Sequence, residues 1–433
     1  MRILNRCDVG DVVLVAAHTH TAVNNLLNKI AQNRGEFLQC SSKEGLKCPY
    51  ITIAKVHSNQ EKMGEHPTPA PIENINADSC KRKVDNLTKN SVVIIGGTTS
   101  TILKMANKLD GGKQYKNLGG FSVSILIVDE ASMMVFPHFL ALAKLVRQNG
   151  EIMLVGDHRQ LAPIVAHDWE DEDRPPVVYY QPHLSAFQSI LNLSEASEAP
   201  SQSSLCVSRL NRTFRLPPQI VELISRIYKM DGIALEGVKK SVSNVQADDL
   251  GSWECIWRGG SGIYLVLHSE QESRRYNTVE IKIIQEIIQT GDNLPVSSVA
   301  IITPYKAQRS QLTDLFIDNN SIDIIDTVER LQGGERPTVI VSATVSDPSA
   351  ISSNVEFILN LNRTNVAFTR SEERLIVICS EELINYVPSD LDYYNSALLW
   401  KVLRDLCRTQ IGAVSIDGHE VKILTYIPER GEE

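Results

Sequence analysis

Ile125-Leu-Ile-Val-Asp129-Glu130-Ala-Ser132 is a run of four apolar residues that ends on two carboxylates. Further along, Ile152-Met-Leu-Val-Gly156-Asp157-His-Arg-Gln160-Leu-Ala-Pro163 repeats the plan, ending on an aspartate and an amide. Short apolar runs closed by turn residues are the signature of strands buried on both faces of a parallel sheet. The same pattern recurs at Val12–Val15, Val92–Ile95, Val299–Ile302, Val339–Val341 and Leu375–Ile378. Helical periodicity over Thr21–Ala31, Pro137–Arg147 and Thr278–Gln289 supplies crossovers, so the class is α/β with parallel sheets. Polar residues follow the strand ends, and the carboxyl edge of such a sheet is where ligands bind.

A chain of 433 residues exceeds one ordinary core and suits two domains of roughly 200 residues each. Apolar residues make up 42% and charged residues 22%, as in soluble globular proteins, and no apolar run approaches a membrane span. The N-terminus lacks the apolar core and cleavage site of a secretory signal. The eight cysteines are scattered without a Cys-x-x-Cys pair, which points to reduced thiols in an intracellular, cytoplasmic chain, the nucleus included. Net charge is −9, so a polyanion must bind a local groove of donors and not a generally basic surface.

The break between domains falls at Leu193–Ser204, rich in Ser, Glu and Ala. This gives a first domain over 1–196 and a second over 205–433. Residues 34–90 lack clear periodicity and read as an insertion on the first domain. Asp168–Pro176 and Val238–Gly262 read as peripheral excursions.

At the end of a strand, Asp129 can hold Mg2+ and Glu130 can orient and deprotonate an attacking water. Alone, an Asp-Glu pair equally caps a following helix. The next strand end tips the balance, because it puts Gln160 where a γ-phosphate and its water are sensed. Arg215, in Asn211-Arg-Thr-Phe-Arg215, and Arg370, closing Asn365-Val-Ala-Phe-Thr-Arg370, both lie in the opposite domain. Guanidinium groups aimed into a phosphate cleft stabilise the charge of the transferring group, whereas isolated surface arginines make ion pairs of little worth. In Gln332-Gly333-Gly-Glu335, the glycines admit close backbone approach to a nucleotide and Glu335 can accept from a ribose; a tight turn explains the glycines as well. For nucleic acid, the candidates are Thr19, His20 and Thr98 in the first domain and Thr303 and Tyr305 in the second. Hydroxyls and amides bind phosphates without reading sequence, and an aromatic ring stacks on a base. Single threonines at strand ends otherwise serve as helix caps. Lys104, Lys108, Lys113 and Lys116 add local positive charge.

Taken together, these stretches resemble a superfamily 1 helicase of the 5′-to-3′ branch, the branch of the nonsense-decay RNA helicase and the Okazaki-flap helicase–nuclease. Leu14-Val-Ala-Ala-His-Thr-His-Thr-Ala-Val23 matches motif Ia, and Val93-Ile-Ile-Gly-Gly-Thr98-Thr99 the following threonine motif. Val128-Asp-Glu-Ala-Ser132 matches motif II and Gly156–Pro163 motif III. Phe214-Arg215 stands at the Tyr-Arg pair of motif IV. Thr303-Pro-Tyr-Lys-Ala-Gln308 matches the Thr-Pro-Tyr motif, Gln332–Glu335 motif V and Asn365–Arg370 motif VI. The resemblance implies two RecA-like domains, with ATP and Mg2+ between them and single-stranded nucleic acid across their tops. DNA is favoured over RNA, since no RNA-specific module is visible. One departure stands out. The family's phosphate-binding Gly-x-x-Gly-x-Gly-Lys-Thr loop and its strand precede motif Ia, and here neither is found. The chain therefore reads as a truncated piece of a longer helicase, without turnover of its own. The competing reading is a catalytically silent binding or assembly subunit of the same shape.

Overall fold

The computed structural model describes residues 7–43, 50–65, 71–110, 121–163, 184–196, 205–240, 253–291, 298–330 and 334–428. The chain forms two compact units, Met1–Leu205 and Cys206–Glu433.

Unit 1 is built on six parallel strands: β1 (Val12–Ala17), β2 (Ile51–His57), β3 (Glu73–Asn76), β4 (Val92–Thr98), β5 (Val123–Val128) and β6 (Val146–Leu154). Their order is β3-β2-β4-β1-β5-β6. β1 is central and every residue of it is buried, as a continuous Val-Val-Leu-Val-Ala-Ala run requires when helices cover both faces. Those helices approach closely because β4 carries Gly96 and Gly97. A Cβ on Gly96 would meet Leu27 at 2.7 Å, and one on Gly97 would meet Val56 at 2.4 Å and the hydroxyl of Thr101 at 2.8 Å. Two apolar clusters result, one around Leu14, Ile95, Leu126 and Phe139, the other around Val13, Val15, Leu27 and Ile53.

The stretch 34–90 is not an insertion. β2 lies between β3 and β4 and pairs with Val92–Gly96, and Val84 of the helix Lys81–Thr88 joins the core. Its apolar pattern is masked because Lys55 and His57 are fully buried in the strand. Burial drives the Lys55 amine down to about 8. β6 differs from its neighbours. It is outermost, and Ile152, Met153 and Val155 at its end are 43%, 42% and 42% exposed.

Unit 2 opens with a two-residue parallel pair, β7 (Arg212–Thr213) and β8 (Glu236–Gly237). Its main sheet holds β9 (Gly262–His268), β10 (Val299–Ile302), β11 (Ile322–Asp326), β12 (Arg336–Ser342), β13 (Ser371–Ser380), β14 (Thr409–Ile416) and β15 (His419–Thr425). The order is β11-β10-β12-β13-β9-β15-β14; the first five run parallel, and the hairpin β14–β15 is antiparallel to β9. The core gathers Tyr264, Ile284, Ile301, Ile340 and Ile376. Trp253 and Trp257 belong to it, so the end of the stretch 238–262 is core and not a peripheral excursion. The segment 168–176 lies outside the described residues. Among the described residues, no helix is long and apolar enough to cross a membrane.

Candidate nucleotide and nucleic-acid sites

In unit 1, parallel pairing brings the ends of β1, β5 and β6 side by side. The Asp129 amide donates to the Ala16 carbonyl (2.8 Å), the Val155 amide to Val128 (2.8 Å) and the Ala131 amide to Val155 (2.9 Å). These bonds lay the turn after β5 against the turn after β6. Gly156 makes the contact possible, because a Cβ there would sit 3.0 Å from the Ser132 amide nitrogen and 3.3 Å from that of Ala131. Asp129 accepts from the Glu130 amide at 3.0 Å, and burial raises its carboxyl above the ordinary value against that bond and the charge of Lys29. Glu130 holds a left-handed backbone, φ 52° and ψ 42°, which sets its side chain apart from that of Asp129. Beside them, the buried Ser132 hydroxyl has no hydrogen-bond partner among the described residues. A carboxylate whose charged form is under-compensated, next to an idle hydroxyl, fits a hydrated cation such as Mg2+, which takes few protein ligands. Gln160 closes the second turn, its amide group donating to the Asp157 carboxylate at 3.3 Å.

The other predicted residues of unit 1 lie at helix starts. Thr19 Oγ1 accepts the Ala22 amide (3.1 Å) at the start of the helix His20–Lys43, whose first residue, His20, is half-buried. Thr98 is buried, its hydroxyl shared with Ser100 and Thr101. Its side chain therefore faces protein and not a strand of nucleic acid, because the start of the helix Thr99–Leu109 folds back over it.

In unit 2, Arg215, Glu335 and the end of the helix Leu361–Phe368 meet at one corner. Arg215 forms an ion pair with Glu335 and reaches the Thr369 carbonyl at 3.5 Å. The Arg336 amide donates to the Arg370 carbonyl at 3.1 Å, tying that corner to the start of β13. Arg370 is buried, its Nε donating to the Val366 carbonyl. Glu335, expected to receive a ribose, is engaged by Arg215 instead. Gln332 and Gly333 lie outside the described residues.

Thr303, expected to contact nucleic acid, is fully buried. Its hydroxyl bonds that of Thr344 (2.9 Å) and accepts the Tyr305 amide (3.4 Å). The threonine shapes the loop that carries Tyr305, whose half-buried ring packs on Phe357 with centroids 5.5 Å apart. Burial raises the Tyr305 hydroxyl, opposed by the charge of Arg275.

The AAA domain family matches residues 1–166, and a second family of the same description matches residues 185–382. A "DNA replication ATP-dependent helicase/nuclease JHS1" of Arabidopsis thaliana is 25% identical over 88% of this chain and 26% of its own length. An "Uncharacterized ATP-dependent helicase" of Methanocaldococcus jannaschii is 23% identical over 88% of this chain and 54% of its own. Among solved structures, an arterivirus helicase in complex with DNA aligns at 14% identity over 86% of this chain and 55% of that one, with a TM-score of 0.36. The chain belongs to the superfamily 1 helicases of the nonsense-decay and Okazaki-flap type. It spans 26% and 54% of the length of the two relatives described.

Within this superfamily 1 helicase chain, several polar residues escaped the sequence reading. Ser132 lies in the motif II turn itself. Glu270, Asn277 and Glu280 are buried between the strand ends of unit 2, where Asn277 Oδ1 accepts the Glu280 amide at 3.0 Å. The spacing Asn-x-x-Glu at the head of a predicted helix was the available signal, since it is the pattern of a capping box.

Proposed function

We propose that this chain is the motor core of an ATP-dependent helicase or translocase, acting on single-stranded nucleic acid. Asp129 holds the cation that neutralises the phosphates, Glu130 activates water and Gln160 senses the γ-phosphate. Arg215 and Arg370 are the guanidinium groups assigned to the transferring group. The observation that carries this reading is the left-handed Glu130 turn, held against the Gly156–Gln160 turn beside an unpartnered Ser132. Strain and an unsatisfied buried polar group concentrate where chemistry is done.

The phosphate-cradling loop is required as well. It supplies the amides and the lysine on the β- and γ-phosphates, and no Gly-Lys-Thr stands anywhere in the 433 residues. The second reading is a silent strand-binding subunit of the same fold. Nucleic-acid-stimulated ATP hydrolysis by the chain alone separates them from a competent enzyme. The expected result is single-strand binding with no significant turnover. Turnover abolished by Glu130→Gln would refute the requirement for the loop. Joining a segment that carries such a loop ahead of Met1 is expected to give turnover that Glu130→Gln removes, and its failure to do so favours the silent subunit.

A further inference from the structure

Between β9 and the helix Thr278–Gly291 runs a loop, residues 269–277, whose second half, 273–277, is fastened at both ends. At one end the Ser273 amide donates to Ser346 Oγ (2.9 Å), and its carbonyl accepts the amides of Ser346 (2.9 Å) and Asp347 (3.0 Å). At the other end lies Asn277, fully buried. Its Nδ2 donates to Glu270 (2.8 Å) and to the Thr344 carbonyl (3.2 Å), and its amide donates to Gln308 Oε1 (2.8 Å). The buried Glu280 carboxylate accepts the Thr344 amide at 3.0 Å and the Ser342 hydroxyl at 2.5 Å. Thr344 in turn bonds Thr303, at the head of the Tyr305 loop.

One buried network thus sets the 269–277 loop against the Tyr305 loop. What lies between its two anchors points outward. Arg274 and Arg275 are exposed, and Tyr276 is 57% exposed, a large aromatic surface on a fixed backbone. Arg274 is occupied by Asp347 at 3.2 Å. Arg275 is close enough for its charge to act on Tyr305.

We propose that Arg275 and Tyr276 form a contact for single-stranded nucleic acid beside Tyr305, with Tyr276 stacking on a base and Arg275 holding the adjacent phosphate. The proposal rests on the reading of the chain as a helicase core. An aromatic ring beside an arginine is the pair that grips a strand without reading its sequence. Anchoring the backbone in advance removes the ordering cost that a mobile loop pays on binding.

The test is fluorescence anisotropy of labelled oligo-dT and oligo-U with the full chain, over a salt series. Tyr276→Ala is expected to weaken binding roughly tenfold, and Tyr276→Phe to retain the parent affinity. Arg275→Ala is expected to flatten the slope of log K against log salt by about 0.7. A loss on both polymers, or on one alone, supports the contact. Parent binding unchanged in Tyr276→Ala and Arg275→Ala overturns this contact alone. No binding of either strand by the parent chain overturns the helicase-core reading and this contact with it.

Discussion

Glu130 occupies a backbone region that costs a side-chain-bearing residue roughly 1–2 kcal/mol. Glycine would relieve that cost, less the roughly 0.5–1 kcal/mol of extra entropy it loses on folding. Glu130→Gly is therefore expected to be neutral or to stabilise unit 1 by up to about 1 kcal/mol, read as a higher urea midpoint at unchanged slope. Glu130→Gln keeps the strain and should leave the midpoint where it is. A glycine variant that unfolds markedly earlier would show that the glutamate is retained for packing and not for chemistry. Such strain was invisible in the sequence: Asp-Glu after four apolar residues predicts a strand end, but not the handedness of the turn. The same holds for Thr303 and Thr98. Their positions, after β10 and at the end of β4, are legible, but the direction of each hydroxyl depends on its partner: Thr344, which the fold brings to Thr303, and Thr101, which the helix start turns back to Thr98.

Among the elements, the strands that could be read were those with unbroken apolar runs. β1, β4, β5, β10, β12 and β13 each contain such a run because helices or neighbouring strands exclude water from both faces. β2 escaped because Lys55 and His57 interrupt it, and β14 and β15 because a half-exposed hairpin alternates polar with apolar residues. β6 is legible in Ile152–Val155, yet none of its residues is buried. Residues alternate faces along a strand, so exposure of Ile152, Met153 and Val155 means that neither face is sealed there. An apolar outer strand is a template for further pairing. Replacing Met153 and Val155 together by lysine is expected to reduce concentration-dependent association of the chain, measured by sedimentation velocity, and to leave single-strand binding intact. Association that persists undiminished would mean that β6 is not the adhesive edge.

At the scale of the whole molecule, a net charge of −9 rules out a strand held by a general positive field. Positive groups around the outward-facing loops of unit 2 are mostly spent. Arg274 pairs with Asp347, Arg309 with Asp326 and Arg363 with Glu329, while the Arg363 guanidinium also lies 4.2 Å from the centre of the Phe357 ring. With these three arginines paired among the described residues, stacking is expected to carry much of the affinity. With about three or four phosphates neutralised, log K should fall against log salt with a slope of roughly −2 to −3. Between 50 and 200 mM salt, that is a loss of roughly 15- to 60-fold, far less than for a protein that wraps its ligand in lysine and arginine. A slope steeper than about −5 would mean that the strand lies along a continuous basic track, and that Tyr276 and Tyr305 are incidental to its capture.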